Sequence, residues 1–114
     1  MPLEGGPNQI TLDESGSVIL NASGNGTVEL STPSTRTSWF VNLVSVNTST
    51  NTKEPVAKVY LNSTAQLLGG TYTGSNDLFG PDCWVRNGSI ICKWTGGDAG
   101  AKATMTLGGT VYVG

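Results

Sequence analysis

The side chains best placed to do chemistry are two cysteines, Cys83 and Cys92, which flank an Asn87-Gly88 dipeptide. Asn-Gly suits a two-residue type I′ turn, because both central residues of that turn need φ > 0. A hairpin turned there sets Arg86 opposite Ser89, Val85 opposite Ile90, Trp84 opposite Ile91 and Cys83 opposite Cys92. Counted outward from the turn, the cysteines form a non-hydrogen-bonded pair with Cα atoms about 4.5 Å apart. That is the short end of what a disulfide tolerates. Cys83, Val85, Ile90, Cys92 and Trp94 then share the core face, and Trp84, Arg86, Ser89, Ile91 and Lys93 the opposite one. Such a pair could be a redox switch, a structural staple or two buried thiols. A staple or buried thiols is the expectation, with the thiols reduced while the chain is in a cytoplasm.

Other chemistry is thinly supplied. The chain has no histidine, so the commonest general base and metal ligand is missing. Two cysteines cannot complete a four-ligand zinc site. The carboxylates Glu4, Asp13, Glu14, Glu29, Glu54, Asp77, Asp82 and Asp98 are scattered and form no acid/base motif. The run Trp94-Thr95-Gly96-Gly97-Asp98-Ala99-Gly100 is rich in glycine, yet no Lys-Ser or Lys-Thr follows it as in a phosphate loop. It reads as a tight inter-strand loop, with Asp98 bonding its own backbone. One carboxylate beside backbone carbonyls is a poor start for a calcium site. The expectation is no enzyme, no cofactor and no metal.

Asn-x-Ser/Thr triplets stand at Asn21, Asn25, Asn47, Asn62 and Asn87. In so Ser/Thr-rich a chain they read as turn and strand-edge residues. Trp39, Tyr60, Tyr72, Phe79 and Trp84 could stack on a sugar, as aromatics on solvated strand faces do, or simply pack a core or an interface. Trp84 is the best candidate for exposure, since it opposes the cysteine face.

The elements that position these residues are β throughout. Apolar residues alternate with polar ones at Ile10/Leu12, Val18/Leu20, Val28/Leu30 and Val59/Leu61, and turns are expected at Ser15-Gly16 and Gly24-Asn25-Gly26. Residues 36–49 form a long run in which Trp39, Val41 and Leu43 share one face and Phe40, Val44 and Val46 the other. A strand apolar on both faces is central in a sandwich or covered by a partner. Phe40, Val44, Val46 and Trp84 are therefore the candidate interface. Two more strands are expected at residues 101–107 and 110–113. The reading is a single all-β sandwich over residues 9–114, jelly-roll or immunoglobulin-like, of about eight or nine strands. Residues 1–8, rich in Pro and Gly, read as an arm that a neighbouring protein could hold.

With 114 residues, a net charge of −2 and only 12% charged residues, the chain offers no basic field for nucleic acid or anionic lipid. It has no apolar run long enough to span a bilayer. The first ten residues lack signal-peptide features, so synthesis and folding in a cytoplasm are expected.

One resemblance adds to this. The phrases GGTYTGSND (residues 69–77) and KWTGGDAGAKATMTLGGTVYV (residues 93–113) resemble small virion proteins of phages that infect actinobacteria. So does an upstream phrase running from Trp39 through Val46-Asn47-Thr48-Ser49-Thr50-Asn51 and Pro55-Val56-Ala57 to Val59-Tyr60. The resemblance spans roughly residues 25–113 and departs in its cysteine pair. It implies a β-sandwich, a non-enzymatic role as a minor tail component, location in the virion after synthesis in the host cytoplasm, and partners among other virion proteins and copies of the chain itself. It transfers no catalytic residue. A capsid decoration protein and a module binding host surface glycan are the alternatives.

Overall fold

A computed structural model describes residues 9–114; the arm expected over residues 1–8 lies outside them. The described residues form nine strands: β1 (Gln9–Ile19), β2 (Gly26–Ser31), β3 (Thr37–Thr48), β4 (Val56–Leu61), β5 (Leu67–Thr73), β6 (Asn76–Phe79), β7 (Cys83–Arg86), β8 (Ser89–Thr95) and β9 (Lys102–Val113). One sheet runs β1-β9-β3-β6, with β7 also on β3; the other runs β2-β8-β4-β5. All pairs are antiparallel.

The pairing is nested. β1 joins β9, β2 joins β8, β3 joins β6 and β7, and β4 joins β5. A long antiparallel ribbon rolled into two layers gives this order, and β6 and β7 share one strand position beside β3. That is a jelly roll. In an immunoglobulin sandwich the first two strands pair within a sheet; here β1 and β2 lie in different sheets.

The core lies between the sheets. Leu12, Val41, Val44, Met105 and Leu107 face it from the first sheet, and Val59, Ile90, Cys92 and Trp94 from the second, all essentially without exposure. Burying each aliphatic side chain of this size contributes about 1.5–3 kcal/mol. The one polar tip in this set is satisfied: the Trp94 indole N–H donates to the Gly74 carbonyl at 3.1 Å.

The turn expected at Ser15-Gly16 and the strand break expected between residues 107 and 110 are absent, whereas the chain does turn before Gly26. β1 passes straight through Ser15-Gly16, where Gly16 pairs with Met105. A Cβ on Gly16 would come within 2.9 Å of a Val28 methyl and 3.0 Å of a Leu30 methyl. The glycine therefore lets β2 side chains pack onto the middle of β1 rather than bending the chain. Likewise β9 is continuous from Lys102 to Val113 and spans both strands expected there.

Candidate interaction surfaces

The Asn87-Gly88 hairpin is not formed. β7 pairs with β3, setting Cys83 beside Val41 and Trp84 beside Phe40. β8 pairs with β2 and β4, setting Cys92 beside Val28 and Val59. The dipeptide is thus an arch that carries the chain from one sheet to the other. Asn87 has φ 49°, and Gly88 is not in the left-handed region, so the type I′ requirement is unmet. The arch bonds to flanking strands instead of across itself. Thr32 N–H donates to Gly88 O at 2.9 Å, and Gly88 N–H donates to Thr32 Oγ1 at 3.1 Å. Ser89 N–H donates to Asn62 Oδ1 at 3.1 Å, and Asn62 N–H donates to Ser89 O at 2.8 Å. Cys83 and Cys92 therefore enter the core from opposite sheets, whose usual spacing is about 10 Å. Both are free thiols. Burial pushes the Cys92 thiol up to about 12. Burial, and then the charge of Asp82, raise Cys83 as well.

The candidate interface also divides. β3 pairs Val41 with Gly109 and then Leu43 with Gly108, so Asn42 is an extra residue on the β3 side. This β-bulge flips the alternation midway along the strand. Trp39 and Val41 face the core before it, and Val44 and Val46 after it. The two apolar faces expected along β3 are thus mostly one, with Trp39, Val41, Val44 and Val46 all in the core. Val44 and Val46 are core residues and cannot serve as a surface. Leu43, expected on the face of Trp39 and Val41, lies outside at 39% exposure.

Phe40 and Trp84 do share the outer face. Their rings meet edge to face with centroids 5.2 Å apart, and Trp84 also leans on Tyr112 at 5.1 Å. The Arg86 guanidinium lies 4.4 Å over the Trp84 ring. Pairs of this kind contribute about 0.5–1.5 kcal/mol beyond area. The cluster pins three strands together, and one face of the indole is already taken by a cation. The other aromatics are elsewhere. Trp39 is core, Tyr60 sits half-buried on the second sheet, and Tyr72 stacks on Phe79 at 4.2 Å to bridge β5 and β6. The five aromatics do not assemble into one platform.

The carboxylates at one end are spent on clasps between loops. Asp98 accepts from Thr52 Oγ1 at 2.6 Å, from Lys53 N–H at 2.8 Å and from Thr52 N–H at 2.9 Å. It thus ties the β8–β9 loop to the β3–β4 loop, not to its own backbone as expected. The Thr52 hydroxyl first, then the two amides, hold its carboxyl well below the usual carboxylate range. Glu54 accepts from Ser75 Oγ and N–H at 2.8 and 3.2 Å, and Asp77 from the Thr73 and Leu78 amides. Among the described residues no group of three His, Cys, Asp or Glu side chains is placed to hold a metal. The Asn-x-Ser/Thr asparagines Asn21, Asn25 and Asn62 accept backbone N–H groups at turns and strand ends.

At the opposite end lies a surface that the sequence reading missed. β1, β3 and β9 have 11, 12 and 12 residues, whereas β2, β4 and β8 have only 6, 6 and 7. The first sheet overhangs the second. Toward that end Ile10 and Val113 stand 60% and 46% exposed, while Trp39, Thr37 and Val111 beside them stay buried. With Trp39, Thr37, Pro33 and Glu14 they line a groove of about 280 Å³. That is room for a side chain or two, below the roughly 300 Å³ at which small-molecule pockets begin. Strand length, once adjacent strands are known, is the signal that could have found it.

No family model matches this chain, and no curated protein matches it. Among solved structures, the chain is similar to the Drosophila NLP core, from a study of its pentamer formation and histone binding. The TM-score is 0.44 and the identity 11%, over 85% of this chain and 97% of that one. It is also similar to a chain of infectious bursal disease virus, Gx strain, with a TM-score of 0.37 and 14% identity over 92% of this chain. This chain spans 31% of that viral chain's length.

Proposed function

We propose that this chain is a non-enzymatic structural subunit of a phage particle, a minor tail component that works in several copies after synthesis in the host cytoplasm. The phage assignment rests on the sequence phrases at residues 69–77 and 93–113. The observation that supports the assembly role is the overhang of the first sheet, where Ile10 and Val113 face inward yet find nothing among the described residues to cover them. Apolar surface of this kind is what subunit contacts bury. The clasp geometry supports a non-enzymatic role, since Asp98, Glu54 and Asp77 are each turned onto backbone amides or hydroxyls.

Electron cryomicroscopy of purified virions, with the chain located and counted, tests the proposal. A few copies at the tail is the expected result. High copy number on the capsid lattice would make it a decoration protein, and absence from the particle would overturn the virion role. Retention on host-envelope glycan, lost in Trp84→Ala, would favour the attachment module.

A further inference from the structure

We propose that β1 is the edge through which this chain pairs with itself. β1 of one copy lies antiparallel to β1 of a second copy about a two-fold axis at Ser15, so that the two first sheets become one. The proposal deepens the assembly reading above and rests on it.

The first observation is a free edge whose hydrogen-bonding groups can be assigned. β1 ends the first sheet, and among the described residues nothing pairs with its far side. Just past the strand, Leu20 N–H donates to Ala101 O at 2.9 Å, in step with the Ile19↔Lys102 register. On the other side of β9, Gly114 N–H donates to Arg36 O at 2.8 Å and Ser49 N–H donates to Lys102 O at 2.9 Å. Antiparallel bonds alternate along a strand. The odd-numbered residues of β9 therefore bond to β1, and they meet its even-numbered residues. Thr11, Asp13, Ser15, Ser17 and Ile19 are left with N–H and C=O pointing away from the sheet. Their side chains share the outer face, where Ser17 Oγ lies 2.8 Å from Thr104 Oγ1.

The second observation is that the other edges are blunted and β1 is not. Exposed edges are kept short, or are broken by bulges and prolines, to prevent pairing. β6 and β7 have four residues each, and Gly80-Pro81 lies between them. The Leu78 amide on β6 is already taken by Asp77 Oδ1 at 2.8 Å. β5 is bulged against β4 at Lys58/Val59 and holds Gly69 at φ 68°. β2 has six residues. β1 has 11 residues in one unbroken register, with no Pro and no Lys. Among the described residues, the edge that matches it in length is that of another β1, which makes the occupant a second copy.

The third observation is charge, which selects the register. Outward groups must meet outward groups, so odd-numbered residues face odd-numbered ones. An axis at Asp13 or Glu14 would set that carboxylate against its own copy, and like charges directly opposite destabilise a sheet. An axis at Ser15 sets Asp13 opposite Ser17, Glu14 opposite Gly16, Leu12 opposite Val18 and Thr11 opposite Ile19. An axis at Gly16 shortens the overlap to residues 13–19. Ser15 therefore gives the longest overlap in which no carboxylate directly faces another. Glu14 then meets a residue without a side chain, and Ile19, 61% exposed, gains a neighbour.

The test uses the full chain. Sedimentation of the wild type should show a concentration-dependent dimer, and a monomer at every concentration overturns the proposal. S15C, S17C and T11C are then oxidised mildly, and the linked peptides are read by mass spectrometry. S15C should link to its own copy, because Cα atoms of a hydrogen-bonded pair lie about 5.5 Å apart, within disulfide reach. In S17C the two thiols stand four residues out of step, roughly 13 Å at 3.3 Å per residue, and in T11C farther still. S15C links no more abundant than those of S17C or T11C overturn the proposal. In a second measurement, S15P removes an N–H that points away from β9, so the ladder survives and the circular dichroism should be unchanged. Its dimer should dissociate about tenfold or more readily, and an unchanged dissociation constant overturns the proposal. Should S15P unfold, the S15C pattern decides alone. Dimers that persist without S15C links sink the β1 edge and leave the assembly reading intact. Absence of the chain from virions sinks the phage reading without touching the cross-link result.

Discussion

A Cβ on Gly109 would overlap the carbonyl oxygen of Phe40, and Gly109 has φ 149°, a conformation that side-chain-bearing residues rarely adopt. This relationship holds the bulge at Asn42, because β9 must approach β3 closely where the ladder steps from Val41↔Gly109 to Leu43↔Gly108. Gly109→Ala should therefore cost about 2–3 kcal/mol. Gly70, with open space at its Cβ position and no positive φ, serves as control; Gly70→Ala should be neutral or stabilising by up to about 1 kcal/mol. Urea denaturation of both variants measures this, and equal midpoints would contradict the bulge geometry.

The bulge also sets which of two adjacent residues is core. Val44→Ala should destabilise by about 2 kcal/mol through lost burial and the cavity left behind. Leu43→Ala, outside the sandwich, should cost under about 1 kcal/mol. An unbulged strand would reverse that order, so the pair of midpoints decides it.

The cysteines should behave as two free thiols. Protein unfolded without reductant should titrate two thiols, and the folded protein should react slowly, Cys83 before Cys92, following their burial. The Cys92 thiol ionises more easily once unfolded, so its contribution is fully present below about pH 9 and is lost as pH rises toward 12. The slope is about 1.4 kcal/mol per pH unit for one proton. Cys92→Ala should lack that component. A native chain whose cysteines are linked in the intact mass spectrum would contradict the arch.

Asp98 gives the opposite sign. Its carboxyl is held below the usual range by the Thr52 hydroxyl and the Thr52 and Lys53 amides, so the clasp is present above ordinary carboxylate pKa values. It is lost as pH falls through the lower folded value. The Thr52 and Lys53 amide resonances should hold their shifts down to pH values at which free carboxylates have protonated. In Asp98→Asn they should be shifted from wild type already at neutral pH. Titration of those amides at an ordinary carboxylate pKa would remove the clasp from the account.

The sequence shows which side chains are inside more readily than which strands are neighbours. Period-2 alternation places Val85, Ile90, Cys92 and Trp94 on the core side, and they are there. A hairpin and an arch bury the same residues, however; they differ in whether Cys83 and Cys92 lie side by side or face each other across the core. Alternation is blind to that difference, and Asn-Gly supplies only one of the two positive φ values that a type I′ turn needs. The bulge was hidden for a related reason. Asn42 looks like any polar residue in an alternating run, and the evidence for the extra position sits about 67 residues away, in Gly108-Gly109 on the partner strand. The groove depends on the relative lengths of strands in two sheets, a property of topology that no single segment carries.

Asn62 tests the arch directly. It holds φ 67°, its Oδ1 accepts the Ser89 amide, and its own amide donates to Ser89 O. Asn is among the few residues that tolerate this backbone conformation, and its side chain satisfies a part-buried donor where the chain enters β8. Asn62→Ala should lose both advantages and cost about 2–3 kcal/mol. Asn62→Gly keeps the backbone freedom and loses only the acceptor, so it should cost about 1–2 kcal/mol. In both variants the Ser89 amide should exchange with solvent faster than the neighbouring Ile91 amide in the β8 ladder. If Asn87-Gly88 instead closed a hairpin, Asn62 would be a surface residue remote from that turn. Both substitutions would then fall within about 0.5 kcal/mol of wild type, and Ser89 exchange would be unchanged.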